Sequence, residues 1–358
     1  MEVDVAIVGG GPAGCSSAIT LLAGGYSVAI VASPCQKEKP TETATPALKQ
    51  LLLSIKAQEA LSACEPCFGI CSDWGRTSPA LQPSIINPFG HAWFIHRTRF
   101  DNCLQKITRK AGGIWLAASA HKANFDADGV ALLTTGETVH ARWLIVASGS
   151  PAWAAQITQQ TLLNIDSLIA FWTRLPVTLT ERLLFVESAD YGWWYACPDD
   201  GNGIIVCLVT DAQSARSLGS AQIAVWNNLF KATNLFQRFG GKSTGASICA
   251  LPTGLAILPR KHGPRWTAVG DAAMKLDPLG SSGTTTAIDS GGRAGQAVAE
   301  ALQGNTTGLE RYARWSIGLV EEFARQREQH YAVERLRRVG GFWSRRMHDV
   351  TENRVHEN

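Results

Sequence analysis

The sequence predicts an α/β fold: a parallel sheet at the centre, with an antiparallel sheet inserted into the chain. Three observations carry this. An unbroken apolar run, Val3, Val5, Ile7 and Val8, ends in Gly9-Gly10-Gly11-Pro12-Ala13-Gly14 and is followed by a helical stretch over 16–23. Short apolar runs of the same buried type recur at 28–31, 143–146 and 266–269. Apolar and polar residues alternate in parts of 161–209, as antiparallel strands require.

Taken in order, the first glycine turn is GxGxxG between a strand and a helix. That context makes it the signature of a Rossmann-like dinucleotide-binding unit. Gly9 permits the turn, Gly11 lets the backbone approach a pyrophosphate, and Gly14 lets helix and strand pack closely. The helix start after Pro12 and Ala13 offers free N–H groups and a positive dipole end to the phosphates. The second strand, 28–31, is reached through Gly24-Gly25. An acid belongs at its end, for the ribose hydroxyls. Ala32 and Ser33 stand there instead, and no carboxylate appears before Glu38. Ser33 offers a weaker hydrogen bond.

Thr41 to Pro46 leads into an expected helix over 47–61, with Thr43 or Thr45 as its cap. Residues 64–96 are expected to be loop-rich, and their aromatic content (Phe68, Trp74, Phe89, Trp93, Phe94) argues against disorder. A helix opens at Arg97 and ends at Gly112-Gly113. Short strands are expected at 114–118 and 130–134, and a buried one at 143–146, ending in Ala147-Ser148-Gly149. A helix over 220–238 and a strand over 247–258 follow. The strand 266–269 runs into Gly270-Asp271. A second glycine-rich turn, Asp277-Pro278-Leu279-Gly280-Ser281-Ser282-Gly283-Thr284, opens a helix to 302. Residues 309–338 form an arginine-rich amphipathic helix or helix pair, a solvated face laced by salt bridges.

The 358 residues, 45% apolar, suffice for one large or two interleaved domains. Lys and Arg exceed Asp and Glu by 33 − 30 = 3, too little to argue for nucleic acid. No charged and apolar leader precedes the first strand, and no run approaches the roughly 20 apolar residues of a membrane span. A cytoplasmic protein with no membrane partner is expected. Nine cysteines are scattered, and Cys64-Cys67-Cys71 lacks a fourth ligand, so reduced thiols and no metal are expected. Twelve tryptophans suit core packing or an aromatic-lined pocket.

The N-terminal GxGxxG, paired with Gly270-Asp271 and the Asp277-Pro278-Leu279-x-Ser281-Ser282-Gly283 turn, resembles the FAD-dependent monooxygenases of the p-hydroxybenzoate hydroxylase type. Their FAD domain is of the glutathione-reductase type, with an interleaved antiparallel-sheet substrate domain and C-terminal helices. The resemblance implies that Asp271 holds the ribityl hydroxyls and that Gly283 and Thr284 offer N–H groups to the flavin pyrimidine. The DPL-x-SSG turn and R-x-x-FD-x-x-L at Arg97, Phe100, Asp101 and Leu104 are similar to the tryptophan-halogenase-like branch, which makes Arg97 an FAD contact. Trp74-Gly75, the stretch 87–93, Gly192-Trp193-Trp194-Tyr195 and Phe342-Trp343-Ser344-Arg345-Arg346 resemble a narrower group. These are bacterial flavoproteins that accompany lysine and glycine oxidases and mature tryptophylquinone cofactors. FAD contacts are thereby expected from Gly9, Gly11, Pro12, Ala13, Gly14, Ser33, Thr43, Arg97, Asp271, Pro278, Ser282, Gly283 and Thr284. The FAD domain would comprise 1–75, 97–160 and 259–305, the substrate domain 76–96 and 161–258, and a helical segment 306–358.

Two departures bear on function. Halogenases of this branch carry W-x-W-x-I-P; here the stretch is Trp193-Trp194-Tyr195-Ala196-Cys197-Pro198. They also need an early-loop lysine, and none occurs from 57 to 105. The implied activity is therefore FAD-dependent hydroxylation of an aromatic ring, a peptidyl tryptophan in the precursor of a quinone-cofactor amine or amino-acid oxidase. A small-molecule aromatic hydroxylase or halogenase-like tailoring enzyme is the alternative, and a maturation chaperone with a weakened flavin site is a third. No second dinucleotide loop is visible, so an external reductant is needed: reduced nicotinamide or a flavin reductase. His91 and Glu42 are the candidates for proton handling. His91 equally suits a structural role, and Glu42 a solvated loop. Trp93 and Tyr195, with Trp74, Trp193 and Trp194, are candidates for the ring pocket, and His96 is expected to be structural.

Overall fold

The computed structural model describes residues 1–34, 39–76, 78–200, 203–241, 247–338 and 341–347; Glu38 and the last part of 306–358 lie outside them. The first strand, Glu2–Val8, lies between Val28–Ala32 and Val139–Val146 and runs parallel to both. Ile114–Ala117 extends this sheet on one side; Trp266–Ala268 and His262–Gly263 extend it on the other. Val5, Ala6 and Ile7 are fully enclosed, as a parallel strand covered on both faces demands. An antiparallel pair, Ala120–Phe125 and Val130–Thr134, joins at Val139–Val146. The first of that pair had no clear sequence signal.

The first helix runs from Pro12 to Ala23, so proline at its first position starts it earlier than 16. It packs along the helix Gly283–Leu302. The Ser16 and Ser17 hydroxyls donate to the Ile288 and Gly291 carbonyls at 2.7 and 3.0 Å. The fit is close: a Cβ at Gly291 would lie 2.3 Å from the Ala13 carbonyl oxygen.

A second sheet of seven strands has the order Cys249–Pro252, Leu168–Leu175, Gly203–Asp211, Gly192–Asp199, Leu184–Ala189, Gly69–Asp73 and Ala80–Pro83. Its neighbours are antiparallel except Leu184–Ala189 with Gly69–Asp73. One face packs on helices Ile223–Lys231 and Asn234–Arg238 through Trp194, Trp226, Phe230 and Leu235. The other face turns toward the first sheet. No helix among the described residues is long and apolar enough to cross a membrane.

Several expected elements are corrected. The helix over 47–61 breaks into Leu48–Ser54 and a 3-10 turn Gln58–Ala63, with Lys56 between them at φ 57°. Neither Thr43 nor Thr45 caps it. Thr43 belongs to strand Glu42–Ala44, and Thr45 Oγ1 pairs with Thr285 Oγ1 at 3.2 Å. Segment 64–96 is not chiefly loop; it holds strands Cys64–Cys67, Gly69–Asp73, Ala80–Pro83 and Ala92–Ile95. Proline and glycine between such short strands hide their alternation. Gly69–Asp73 pairs with the antiparallel sheet, although 1–75 was grouped with the dinucleotide unit. The helix over 220–238 is two helices, because the Thr233 hydroxyl accepts from Phe236 N and starts a second one. The strand over 247–258 is two, Cys249–Pro252 and Ala256–Ile257. Thr307–Arg335 is one long helix, followed by the short turn of helix Gly341–Ser344.

Candidate functional site: a cleft between the two sheets

A cleft of about 470 Å³ runs between the first sheet and the inner face of the second. One wall is main chain. Gly9, Gly11, Pro12 and Ala13 line it, Ala147-Ser148-Gly149 lies beside them, Gly270-Asp271 packs next to Ala13, and the turn 277–284 completes the wall. Both glycine turns open helices that no side chain caps, so their first N–H groups are free for a ligand. A Cβ at Gly11 or Gly283 would meet no protein atom within 4 Å; both face the open cleft. Ser282 Oγ is buried in this wall without a protein partner. Gly14 does not line the cleft. It packs beneath the turn, where a Cβ would stand 2.0 Å from the Gly9 carbonyl oxygen.

Along the cleft runs a chain of charges. Lys39 Nζ donates to Asp101 at 2.6 Å; Asp101 accepts from Arg97 at 3.1 and 3.2 Å. Arg97 in turn donates to Glu42 Oε1 at 2.6 Å, and Glu42 Oε2 accepts from the Thr284 hydroxyl at 2.9 Å. Burial works to lower the Arg97 guanidinium pKa, but Glu42 and Asp101 outweigh it and hold it above its ordinary value. Burial works to raise Asp101, and the charges of Arg97 and Lys39 hold it below the usual carboxylate range. Gln105 completes the row, donating to the Gly10 carbonyl at 3.2 Å. Arg97, Asp101 and Gln105 stand at i, i+4 and i+8 on helix Arg97–Lys110, one face of the helix. That spacing was the available signal for Gln105. Burial pushes the Asp271 carboxyl up to about 6, against the opposing pull of Lys275.

The second wall is made of side chains. Leu184, Val186, Trp193, Tyr195 and Thr253 line it. Burial pushes the Tyr195 phenol well up, with Cys207 and Cys197 beside it adding to the shift, so it stays neutral. The other expected ring-pocket residues are not brought here. Trp194 points to the opposite face of the sheet and packs on Trp226, ring centroids 5.1 Å apart. Trp74 sits behind Trp193, stacked on Tyr331 at 6.2 Å, with Nε1 donating to the His330 carbonyl. Trp93 and His91 pack on each other at 4.4 Å away from the cleft, and His91 Nδ1 lies 2.9 Å from the Ala92 carbonyl. His91 is thus not placed to exchange a proton in the cleft. His96 is buried between Thr41 and Glu65, a structural position. Ser33, Thr43, Pro278 and Thr284 do line the cleft.

A polar, main-chain-lined trough with two helix starts and a half-buried carboxylate, Asp271, fits the pyrophosphate, ribityl chain and flavin ring of FAD. Comparison with known proteins agrees. The pyridine nucleotide-disulphide oxidoreductase family pattern matches residues 3–170. The putative FAD-dependent oxidoreductase LodB of Marinomonas mediterranea is 24% identical over 364 residues, covering 96% of this chain and 96% of that protein. The myxobacterial chondrochloren halogenase CndH superimposes with a TM-score of 0.80 at 19% identity, covering 99% of this chain and 87% of that one. The peptidyl tryptophan dihydroxylase QhpG, essential for tryptophylquinone cofactor biogenesis, superimposes with a TM-score of 0.76 at 20% identity, over 96% of this chain and 78% of that one.

Proposed function

From the premise that the chain is an FAD-dependent oxidoreductase with the fold of flavin monooxygenases and halogenases, we propose that it hydroxylates an aromatic ring. We take that ring to be a tryptophan side chain of a partner polypeptide, the precursor of a quinone-cofactor amine or amino-acid oxidase. The observation that carries this is the pairing of two unlike walls in one cleft: a polar trough suited to FAD faces an apolar surface of Leu184, Val186, Trp193 and Tyr195. When bound and reduced by an external reductant, a reduced nicotinamide or a flavin reductase, FAD supplies the oxygen-activating chemistry. In the overall reaction one atom of dioxygen enters the ring and the other leaves as water, with two electrons from the reductant.

The chain's own residues do the rest. Asp271 and the starts of helices Pro12–Ala23 and Gly283–Leu302 hold the cofactor. The apolar wall orients the ring and keeps out water. Glu42, fixed at one oxygen by Arg97 and at the other by Thr284, is the carboxylate we assign to the proton the ring releases.

A polypeptide substrate is supported by the likeness to LodB and QhpG. It is also supported by the surface around Ala80–Pro83. There Ile85 and Phe89 are 90% and 83% exposed, and no Lys, Arg, Asp or Glu occurs from 77 to 96. Halogenation is disfavoured by the absent early-loop lysine. The two lysines of the cleft are engaged, Lys39 with Asp101 and Lys275 with the Pro252 carbonyl.

The test is co-expression with the precursor of a quinone-cofactor amine or amino-acid oxidase, followed by peptide mass measurement of that precursor. A gain of one or two oxygen atoms on a tryptophan supports the reading. No gain, with FAD bound and a reductant supplied, overturns it. Halide incorporation would favour the halogenase-like alternative, and a colourless protein that cannot be reconstituted would favour the chaperone.

A further inference from the structure

The helix Thr307–Arg335 does not line the cleft, yet its side chains hold both walls. Asp277, whose side chain is fully buried, opens the flavin-side turn by accepting from Leu279 N at 2.9 Å through Oδ1. Its Oδ2 accepts from Arg327 Nε at 2.8 Å and from the Tyr331 hydroxyl at 2.6 Å. The same guanidinium donates through Nη2 to Asp166 Oδ2. Asp166 Oδ1 accepts from Leu255 N at 2.9 Å, and Ile165 N donates to the Leu255 carbonyl at 2.9 Å. Leu255 lies two residues after Thr253, in the opposite wall. Arg327, 6% exposed, is stacked over the Tyr331 ring at 4.8 Å.

We propose that Arg327 is a positioning residue that fixes the distance and angle between the flavin-side turn 277–284 and the substrate-side loop 253–255. This rests on FAD occupying the cleft, not on the identity of the substrate. Two buried carboxylates from opposite walls converge on one planar cation whose donors have a fixed spread. One guanidinium bonded to a carboxylate from each wall ties the two segments at their side chains, beside the main-chain pairing of Ala256–Ile257 with Met274–Lys275. Tyr331 fixes the remaining lone pair of Asp277 Oδ2 and provides the ring on which the guanidinium lies. The cleft's geometry is thus set from a helix whose sequence suggests only a solvated, salt-bridged face.

The experiment compares Arg327→Met, Arg327→Lys and Asp166→Asn in the full chain. It reads thermal melting, the FAD dissociation constant, the visible absorbance and circular dichroism of bound flavin, and amide exchange in peptides covering 253–257 and 277–283. Arg327→Met should weaken FAD by about tenfold or more, because it leaves two buried carboxylates without their shared donor. It should also raise exchange in both segments. Arg327→Lys should recover cooperative melting while the flavin dichroism stays altered, since an ammonium cannot reproduce the fork. Asp166→Asn should raise exchange in 253–257 alone and change FAD affinity by about twofold at most. If Arg327→Met does not fold, the other two variants decide. A folded Arg327 variant with wild-type FAD affinity, flavin dichroism and exchange in both segments overturns the proposal. So does a rise confined to 277–283 in both Arg327 variants, since the bridge would then be absent. Exchange measured without FAD tests the bridge even if the wild-type chain proves unable to bind flavin, which would instead defeat the flavin reading.

Discussion

The two walls of the cleft are built on opposite principles. The flavin wall is main chain: two glycine turns, two helix starts and the charges that hold them. The substrate wall is side chain: every second residue of a twisted sheet. A main-chain wall leaves no room for added atoms where its turns pack on each other, as at Gly9 and Gly14, and its turns are built mostly of glycine, proline and small residues. A side-chain wall asks only for apolar bulk on the right face, and many residues meet that.

The largest effect that separates the walls is expected at Gly14. Gly14→Val would drive a Cβ to about 2.0 Å from the Gly9 carbonyl oxygen. Backbone against backbone cannot yield as a side chain can. FAD binding should be lost, and stability should drop by about 3 kcal/mol or more. Titration of the purified variant with FAD, alongside its melting curve, checks this; near-normal affinity would break the distinction between the walls.

On the substrate wall the sharpest contrast lies between neighbours. Trp193 faces the cleft, and Trp194, fully buried, faces Trp226 and Phe230. Trp194→Ala should cost about 3–5 kcal/mol, the usual range for emptying a buried aromatic site. FAD affinity in the fraction that still folds should hold. Trp193→Phe should cost less than about 1.5 kcal/mol and should alter turnover on the aromatic substrate. Denaturant melts and steady-state kinetics of both variants distinguish the faces. If the two exchange roles, the register of strand Gly192–Asp199 is wrong.

This pair also shows what was legible in the sequence. The Gly9–Gly14 turn was legible because a phosphate-gripping backbone leaves few choices of residue, whereas Asp271, Arg97 and the turn 277–284 were named through their resemblance to a family pattern; all of these but Gly14 and Gly280 line the cleft. Trp193, Trp194 and Tyr195 could be named as a group, but not assigned to faces: alternation gives parity, and nothing local says which parity faces the cofactor. His91 and Trp93 were drawn to the site by composition alone, while pairing of Ala92–Ile95 with Glu42–Ala44 and Cys64–Cys67 turns them elsewhere. Arg327, about fifty residues from its partner Asp277, had no local signal, because charged residues recur throughout its helix.

A smaller effect tests the flavin wall's electrostatics. In the folded chain without FAD, the Asp271 carboxyl sits at about 6 rather than its ordinary 3.8. The folded chain therefore binds more protons than the unfolded one between those values, and raising the pH through that window removes about 2–3 kcal/mol of stability. Asp271→Asn should remove that loss at neutral pH, raising the melting temperature of the FAD-free protein. It should also weaken FAD by about tenfold, since an amide is a poorer acceptor for hydroxyl donors. For the wild type, FAD affinity should fall as pH drops below about 6, the opposite direction to the stability of the FAD-free chain. Melting curves and flavin fluorescence titrations at pH values on either side of the window would show whether the signs oppose.

The smallest expected effect lies where the flavin wall departs from its own pattern. Ala32, 8% exposed, ends the second strand in the cleft beside Ser33. The turn opposite is closed by the Trp115 ring, which stands 2.3 Å from where a Gly10 Cβ would be. Without an acid here the ribose lacks its usual acceptor, while the pyrophosphate keeps the Gly9–Ala13 turn. Ala32→Glu should supply that acceptor and tighten FAD by about three- to tenfold, the worth of one net hydrogen bond. Competition titration of wild type and variant with FAD measures it. Unchanged or weaker binding would mean that this cleft holds the ribose by some group other than the strand end. Of the polar residues lining it, Gln105, already on the Gly10 carbonyl, would then be the first to substitute.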